Sequence, residues 1–329
     1  MKIAIVKLSA LGDIIHAMVV LQFIKQHQPN TVIDWVVEEG FKSVLEHNPH
    51  INQIHTVNLR AVKQQKSPLL LFKELRKIRK FGQYDLVIDA QGLIKSAIVS
   101  KILKSTKVSG FDSKSIRESI ASKFYNHTTS IAFEANTIER NIAVICNPLS
   151  ISISSLDIVN KKLFLIASDK YDPPYKKYIV LVIGSTWDSR NYPKEKFVQV
   201  VEELKVKCLV IWGNNFEREK ASWMASQSSN INVLPKLNLN ELKSVIQQSS
   251  LLIGNDTGPT HMAWGLNTPS ITLFGPTPVN RIYQTSINRA IKSDSKVDHY
   301  KLNKNDFSIK DIKVDDIVKM AQNLLGLIK

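Results

Sequence analysis

The 329-residue sequence holds only two cysteines, Cys146 and Cys208. They lie far apart in apolar company, VICNP and VKCLVIW, with no partner at metal spacing. That excludes a disulfide framework and reads as two buried free thiols of a cytosolic protein. No run of 18 apolar residues occurs, so no membrane-spanning helix is expected. The opening MKIAIVKLSALGD is not expected to be a signal peptide. Lys7 and Asp13 interrupt it, and no small-residue cleavage site follows. HExxH, CxxC and DxD are missing, so no metal site is expected. GxGxxG and GxxxxGK[ST] are missing too, which removes the dinucleotide fingerprint and the P-loop. Acidic residues are scarce: 29 Asp and Glu stand against 44 Lys and Arg, a net charge of +15. Such a charge speaks of anionic partners and not of fold.

What is present fills two cores. Apolar residues make up 43% of the chain. A single core rarely grows past about 250–300 residues, so two domains are expected. Short β-branched runs alternate with stretches of helical periodicity. KIAIVKL, TVIDWVV, INQIHTVNL, YDLVIDAQG and VSGFD read as strands or strand–loop units. Helices are expected in IIHAMVVLQFIKQHQPN, EEGFKSVLEHNP, 68–82, 93–103, near 115–125 and at 134–147. Residues 148–178 break the rhythm, and Pro173-Pro174 marks a linker. The alternation restarts at KYIVLVIGST and ends in an amphipathic tail helix, VDDIVKMAQNLLGLI. The expectation is two α/β domains of Rossmann type, 1–165 and 175–329, with parallel sheets. The final helix is a candidate to pack back on the first domain. Ligands of open α/β sheets bind beyond the carboxyl ends of the strands, which places the expected site in a cleft between the domains.

Four loops carry candidate chemistry. Ser9-Ala10-Leu11-Gly12-Asp13 leaves strand 1 and opens helix 1. Asp13 there is either a helix-capping carboxylate or a general base for a sugar hydroxyl. Residues 254–261, GNDTGPTH, also run from strand to helix, where free N–H groups hold a diphosphate. Thr257 and Thr260 can add hydroxyl donors there, beside Asp256, Gly258 and His261. In GSTWDSRNYP at 184–193, the hydroxyls of Ser185 and Thr186 and the fork of Arg190 can surround a phosphate. In WGNNFE at 212–217, Glu217 suits a ribose, with Glu219 close enough to compete. Residues 60–80 carry eight basic side chains and one acid, Glu74, which suits an anionic acceptor or lipid leaflet. Nucleic acid is not expected, because no aromatic stacking motif interleaves these basics.

These stretches resemble the ADP-heptose:lipopolysaccharide heptosyltransferases, glycosyltransferase family 9, over nearly the whole length. The resemblance rests on AIVKLSALGDIIHAM at 4–18, IDWVVEEGF at 33–41, YDLVIDAQGLIKSA at 84–97 and RESIASKFYN at 117–126. In the second half it rests on WGNNFEREKA at 212–221, LPKL at 234–237, NDTGPTHMA at 255–263 and LFGPT at 273–277. DWVVEEGF with DAQGLIKSA points to the branch that adds the first heptose over the branch that adds the second. The resemblance implies a GT-B fold with two Rossmann-like domains. It implies an inverting transfer from ADP-L-glycero-β-D-manno-heptose to the 5-hydroxyl of the inner Kdo of Kdo2-lipid A, with no metal or other cofactor. It gives Asp13 the role of general base. It gives Ser185, Thr186, Arg190, Glu217, Leu237, Asp256, Thr257, Gly258 and His261 to the donor. It gives Gly12, Arg60, Lys63, Lys95 and Arg117 to the acceptor. Arg190 stands where the family usually has Lys, Ser185 where Thr is more familiar, and Pro259 stiffens the turn. The implied location is the cytoplasm, peripherally on the anionic cytoplasmic face of the inner membrane. Two rivals stay open: a GT-B transferase with another donor or acceptor, and a non-catalytic polyanion-binding module.

Overall fold

The computed structural model describes residues 1–168 and 170–327. Asp169, within the expected break at 148–178, and Ile328, the end of the expected tail helix, lie outside the described residues. So does Lys329 at the end of the second expected domain. The chain divides into two compact units, Met1–Phe164 and Leu165–Lys329.

The first unit begins with β1 (Lys2–Val6), α1 (Leu11–Met18), α2 (Val20–His27), β2 (Val32–Glu38), α3 (Lys42–Leu45) and β3 (Gln53–Val57). It continues through α4 (Leu59–Gln65), α5 (Pro68–Ile78), β4 (Gln83–Tyr84), β5 (Leu86–Asp89), α6 (Ile94–Ile102) and β6 (Lys104–Ser105). It closes with β7 (Val108–Phe111), β8 (His127–Thr129), α7 (Thr137–Cys146) and α8 (Ser155–Val159). Six strands form a wholly parallel sheet in the order β3-β2-β1-β5-β7-β8. β1 lies inside it, with Ile5 opposite Trp35 on one side and Ile88 on the other. Helices cover both faces, so the strand after Lys2 is a buried apolar run that does not alternate. Near the amino-terminal ends of β1 and β2 a fully buried Asp34 accepts bonds from Lys2 (3.0 Å), Asn52 (2.8 Å) and Tyr84 (3.0 Å), with His55 Nε2 at 3.4 Å.

The second unit reads β9 (Ile179–Val182), α9 (Lys194–Leu204), β10 (Cys208–Ile211), α10 (Asn215–Gln227), β11 (Ile231–Val233) and α11 (Leu239–Gln248). Then come β12 (Leu251–Asn255), α12 (Gly258–Gly265), β13 (Ser270–Phe274), β14 (Asn288–Lys292) and α13 (Val314–Leu324). Its sheet order, β11-β10-β9-β12-β13-β14, is also parallel throughout and repeats the permutation of the first unit. α13 lays Ile317, Val318 and Ala321 into the core of its own unit, against α9. Cys146 and Cys208 are buried free thiols, and burial pushes Cys146 up to about 12.

Two expectations need correction. The long first helix is two, α1 and α2, meeting at Val19. The helix expected near 115–125 is only a 3-10 turn, Ser119–Phe124. Ahead of it the hydroxyl and N–H of Ser115 bind Asp112 (2.6 and 2.9 Å). Arg140 takes the Ser115 carbonyl at 2.6 Å, so that oxygen is engaged by a guanidinium and not by an amide four residues on. α4, β6, β8, α8 and β14 were not anticipated.

Candidate active site

In the second unit the strand order reverses between β9 and β12, so the loops leaving these strands run side by side. Asn255, the last residue of β12, ties them together. Its Nδ2 donates to the Ile183 carbonyl (2.9 Å), and its Oδ1 accepts from the Tyr192 N–H (3.0 Å). Beside this junction lies a cavity of about 300 Å³. Ser185, Thr186, Glu217, Leu237 and Thr257, all expected donor residues, line it. Sequence reasoning missed Ile211, Leu239 and Leu242 on its apolar side, and gave no lining role to Trp212 and Pro259, which stand in the candidate loops. The signal for Leu239 and Leu242 was helical periodicity, which reads as core. An apolar side and a polar side in one slot suit a flat base joined to a hydroxylated, charged tail.

Glu217 opens α10 because Asn214 caps that helix, accepting from the Glu217 N–H at 3.0 Å. The carboxylate turns back to accept from the Gly213 N–H (2.7 Å) and Asn214 Nδ2 (2.8 Å). It lies over Gly184, where a Cβ would stand 2.1 Å from Glu217 Cδ. Only glycine leaves that space. Glu219 is exposed on α10 and does not line the cavity.

Asp256 is almost wholly buried at the end of β12. Its Oδ1 faces His261 Nε2 at 3.1 Å. Its Oδ2 faces Arg190 Nη2 at 3.6 Å and Arg281 Nε at 3.9 Å. Arg190 also donates to the Asp256 carbonyl. Burial opposes ionisation of Asp256. The His261 hydrogen bond and the charges of Arg281 and Arg190 outweigh it and hold the carboxyl well below the usual carboxylate range. Arg281 was missed by the sequence reading. The expected set of backbone donors at α12 is smaller than supposed. Pro259 has no N–H, and the His261 N–H donates to Thr257 O at 3.3 Å, leaving Gly258 and Thr260. The Thr260 hydroxyl is also spent, on the Asn255 carbonyl at 2.7 Å.

The first unit has its own reversal, between β1 and β5. Gln91 Oε1 accepts from the N–H groups of Leu8 and Ser9, both at 3.1 Å, and so joins the two loops. Asp13 is half-buried in the first turn of α1, next to the buried Gly12. Its Oδ2 accepts from the Ala10 N–H at 3.2 Å, while Oδ1 accepts nothing among the described residues. The carboxylate thus caps its helix with one oxygen and keeps the other open. Arg60 and Lys63 ride α4 behind β3, Lys95 rides α6 behind β5, and Arg117 follows β7. All four are exposed. A parallel sheet sends every strand's outgoing segment to the same end, so topology gathers these residues with Asp13. Two neighbours were missed. Buried Lys7 donates to Ala90 O (2.7 Å) and Asn141 Oδ1 (3.1 Å). Burial lowers its pKa, against the pull of Asp13 and Asp89. Glu38, buried at the end of β2, has its pKa raised by desolvation, against the Arg60 N–H and the charges of Lys95 and Arg60. Among the described residues no group of three or more His, Cys, Asp or Glu could hold a metal ion. No described helix is long and apolar enough to cross a membrane.

Transfer of a nucleotide-bound sugar needs a base for the incoming hydroxyl and a slot for the nucleotide. Two doubly wound α/β units in succession are the architecture of glycosyltransferases of the GT-B type, and the fold places this chain in that class. The chain belongs to glycosyltransferase family 9, the heptosyltransferases, whose family model matches residues 71–307. It is 38% identical to Lipopolysaccharide heptosyltransferase 1 of Campylobacter coli, over 99% of each chain. With the protein of the same name from Pseudomonas aeruginosa it shares 32% identity, over 84% of this chain and 79% of that one. Among solved structures it is similar to E. coli heptosyltransferase WaaC with ADP-2-deoxy-2-fluoro heptose, with a TM-score of 0.81 and 24% identity over 98% and 99% of the two chains. E. coli ADP-heptose lps heptosyltransferase II is similar with a TM-score of 0.72 and 17% identity, over 99% of each chain.

Proposed function

We propose that this glycosyltransferase moves L-glycero-D-manno-heptose from ADP-L-glycero-β-D-manno-heptose to the 5-hydroxyl of the inner Kdo of Kdo2-lipid A, with inversion. The observation that carries the reading is the 38% identity over 99% of both chains with a protein named Lipopolysaccharide heptosyltransferase 1. The site chemistry is consistent with it. The apolar side of the 300 Å³ cavity takes adenine, and Glu217 takes the ribose hydroxyls. Ser185, Thr186, Thr257 and the free N–H groups of Gly258 and Thr260 take the diphosphate. Asp256 stays ionised and accepts from heptose hydroxyls, held in place by His261. Arg190 and Arg281 meet the charge that grows on departing ADP, so the counter-charge comes from the chain itself.

Asp13 Oδ1 receives the proton of the acceptor hydroxyl as its oxygen attacks the anomeric carbon. Attack opposite the leaving ADP inverts the configuration. Gly12, Arg60, Lys63, Lys95 and Arg117 receive the carboxylates and phosphates of the acceptor. The enzyme works at the cytoplasmic face of the inner membrane and takes no nucleic acid. The test is a competition between Kdo2-lipid A and the same lipid already bearing its first heptose. Turnover of the first alone is expected. Preference for the second would move the chain to the other branch of the family, and turnover of neither would end the reading.

A further inference from the structure

Three neighbouring elements of the first unit leave large apolar side chains in water. α5 exposes Leu69, Leu71 and Phe72, α6 exposes Ile94 and Ile98, and the 119–124 turn exposes Ile120. Leu69, Phe72 and Ile120 are each more than half exposed, at 62%, 55% and 57%. α5 packs against α6, and α6 packs against the turn. Glu118 fastens the last two together by accepting the Ile94 N–H at 2.7 Å. The three elements that carry these six exposed side chains therefore adjoin one another. Exposed apolar residues are ordinary singly, but such a grouping marks an interaction surface.

The charge around them is one-sided. Residues 60–123 hold fifteen Lys and Arg against five Asp and Glu, which is two-thirds of the net charge of the whole chain. Lys73, Arg76, Lys77 and Lys80 line a depression on α5 beside Phe81. Apolar side chains flanked by cations suit one partner class best: an anionic lipid surface, entered by the apolar tips and attracted by the charges. A second copy of this chain is disfavoured, because pairing two such faces brings like charge together. RNA is disfavoured because five of the six tips are aliphatic and offer no base a stacking plane.

We propose that α5, α6 and the 119–124 turn form a membrane-docking face, with Leu69, Leu71 and Phe72 entering the lipid. This rests on the reading above that the acceptor is a membrane lipid, and goes beyond it by assigning a lipid-binding surface separate from the acceptor residues. α5 is the inserting element because it carries three exposed tips within four residues and the largest run of cations.

The experiment is flotation with vesicles of phosphatidylglycerol and phosphatidylethanolamine that contain no Kdo lipid. The full-length protein is expected to float with them and to bind phosphatidylcholine vesicles far less. Replacing the three tips together, Leu69→Ser, Leu71→Ser and Phe72→Ser, is expected to weaken binding about tenfold or more. Turnover of a water-soluble, acyl-free Kdo acceptor should stay within about twofold, since none of the three is a site residue. Phe72→Trp alone guards against misfolding of the triple variant: its added indole emission should be quenched by lipids brominated in mid-chain. Wild-type flotation by the triple variant, or an added indole that brominated lipid leaves unquenched, overturns the proposal. A wild-type dimer dispersed by the triple variant also overturns it, in favour of self-association. Vesicle binding without turnover of the soluble acceptor would sink the proposed function while upholding the docking face.

Discussion

Replacing Gly184 with alanine tests whether the Glu217 carboxylate is where the nucleotide is read. The new Cβ would stand 2.1 Å from both Cδ and Oε1 of Glu217. The side chain is the movable partner, so the carboxylate swings away. It then gives up its bonds from the Gly213 N–H and Asn214 Nδ2, at 2.7 and 2.8 Å. In the proposed function the same oxygens accept from the ribose. A hydrogen bond to a charged group contributes about 1.5–3 kcal/mol, so loss of one should raise KM for ADP-heptose roughly 10- to 100-fold. The ribose is remote from the reacting carbon, so kcat should stay within about threefold. Steady-state kinetics on Gly184→Ala, Glu217→Ala and the double variant form a cycle. Gly184 lines the same cavity, and its expected contribution is the room it leaves for the carboxylate. The double variant should therefore match Glu217→Ala alone, with no further loss. Additive losses, or a KM within about twofold of wild type for Gly184→Ala, would show that the Glu217 carboxylate does not read the nucleotide from over Gly184.

Asp13→Asn should lower kcat by about 10²–10⁴ while ADP binding by titration calorimetry stays unchanged; turnover within about threefold of wild type rules out a general base there. Arg190→Ala removes a cation from the buried Asp256, and breaking a buried pair costs about 3 kcal/mol. Its melting temperature should fall by several degrees and its turnover should collapse, with Arg190→Lys recovering part of both; an unmoved melting temperature counts against the pairing. Asp34→Asn should destabilise the protein at pH 7 by about 3 kcal/mol, measured from urea midpoints. Burial works against the Asp34 charge, but hydrogen bonds from His55, Asn52, Lys2 and Tyr84 outweigh it and depress its pKa from an ordinary 3.8. A depressed folded pKa gives stability that is present above 3.8 and lost as pH falls toward the folded value. The gap between wild type and Asp34→Asn should therefore narrow below that pH, and a gap independent of pH would contradict the network's role.

Strands at the centre of each sheet were legible because both faces are covered, which leaves apolar runs such as KIAIV and LLIGN. The final strand of each sheet was not. β8 reads HTT and β14 reads NRAIK, since an edge strand need not be apolar. The segment near 115–125 was misread as helix because the partner of the Ser115 carbonyl, Arg140, lies 25 residues downstream. No local pattern records such a bond. In the site, loops on strand ends were legible as glycines and polar residues between an apolar run and a helix. The choice between Glu217 and Glu219 depended on which side of α10 meets Gly184, which spacing alone did not decide. Lys7 and Glu38 escaped notice because each sits at a strand end inside an otherwise apolar or acidic stretch, and only burial makes them unusual.

The structure of the product decides whether this chain transfers heptose to the inner Kdo. Purified protein is incubated with ADP-L-glycero-β-D-manno-heptose and Kdo2-lipid A, and the lipid is analysed by mass spectrometry and NMR. One added heptosyl unit is expected, linked through O5 of the inner Kdo, with inverted anomeric configuration. A retained configuration, a different attachment point, or hydrolysed donor beside unchanged lipid would contradict it.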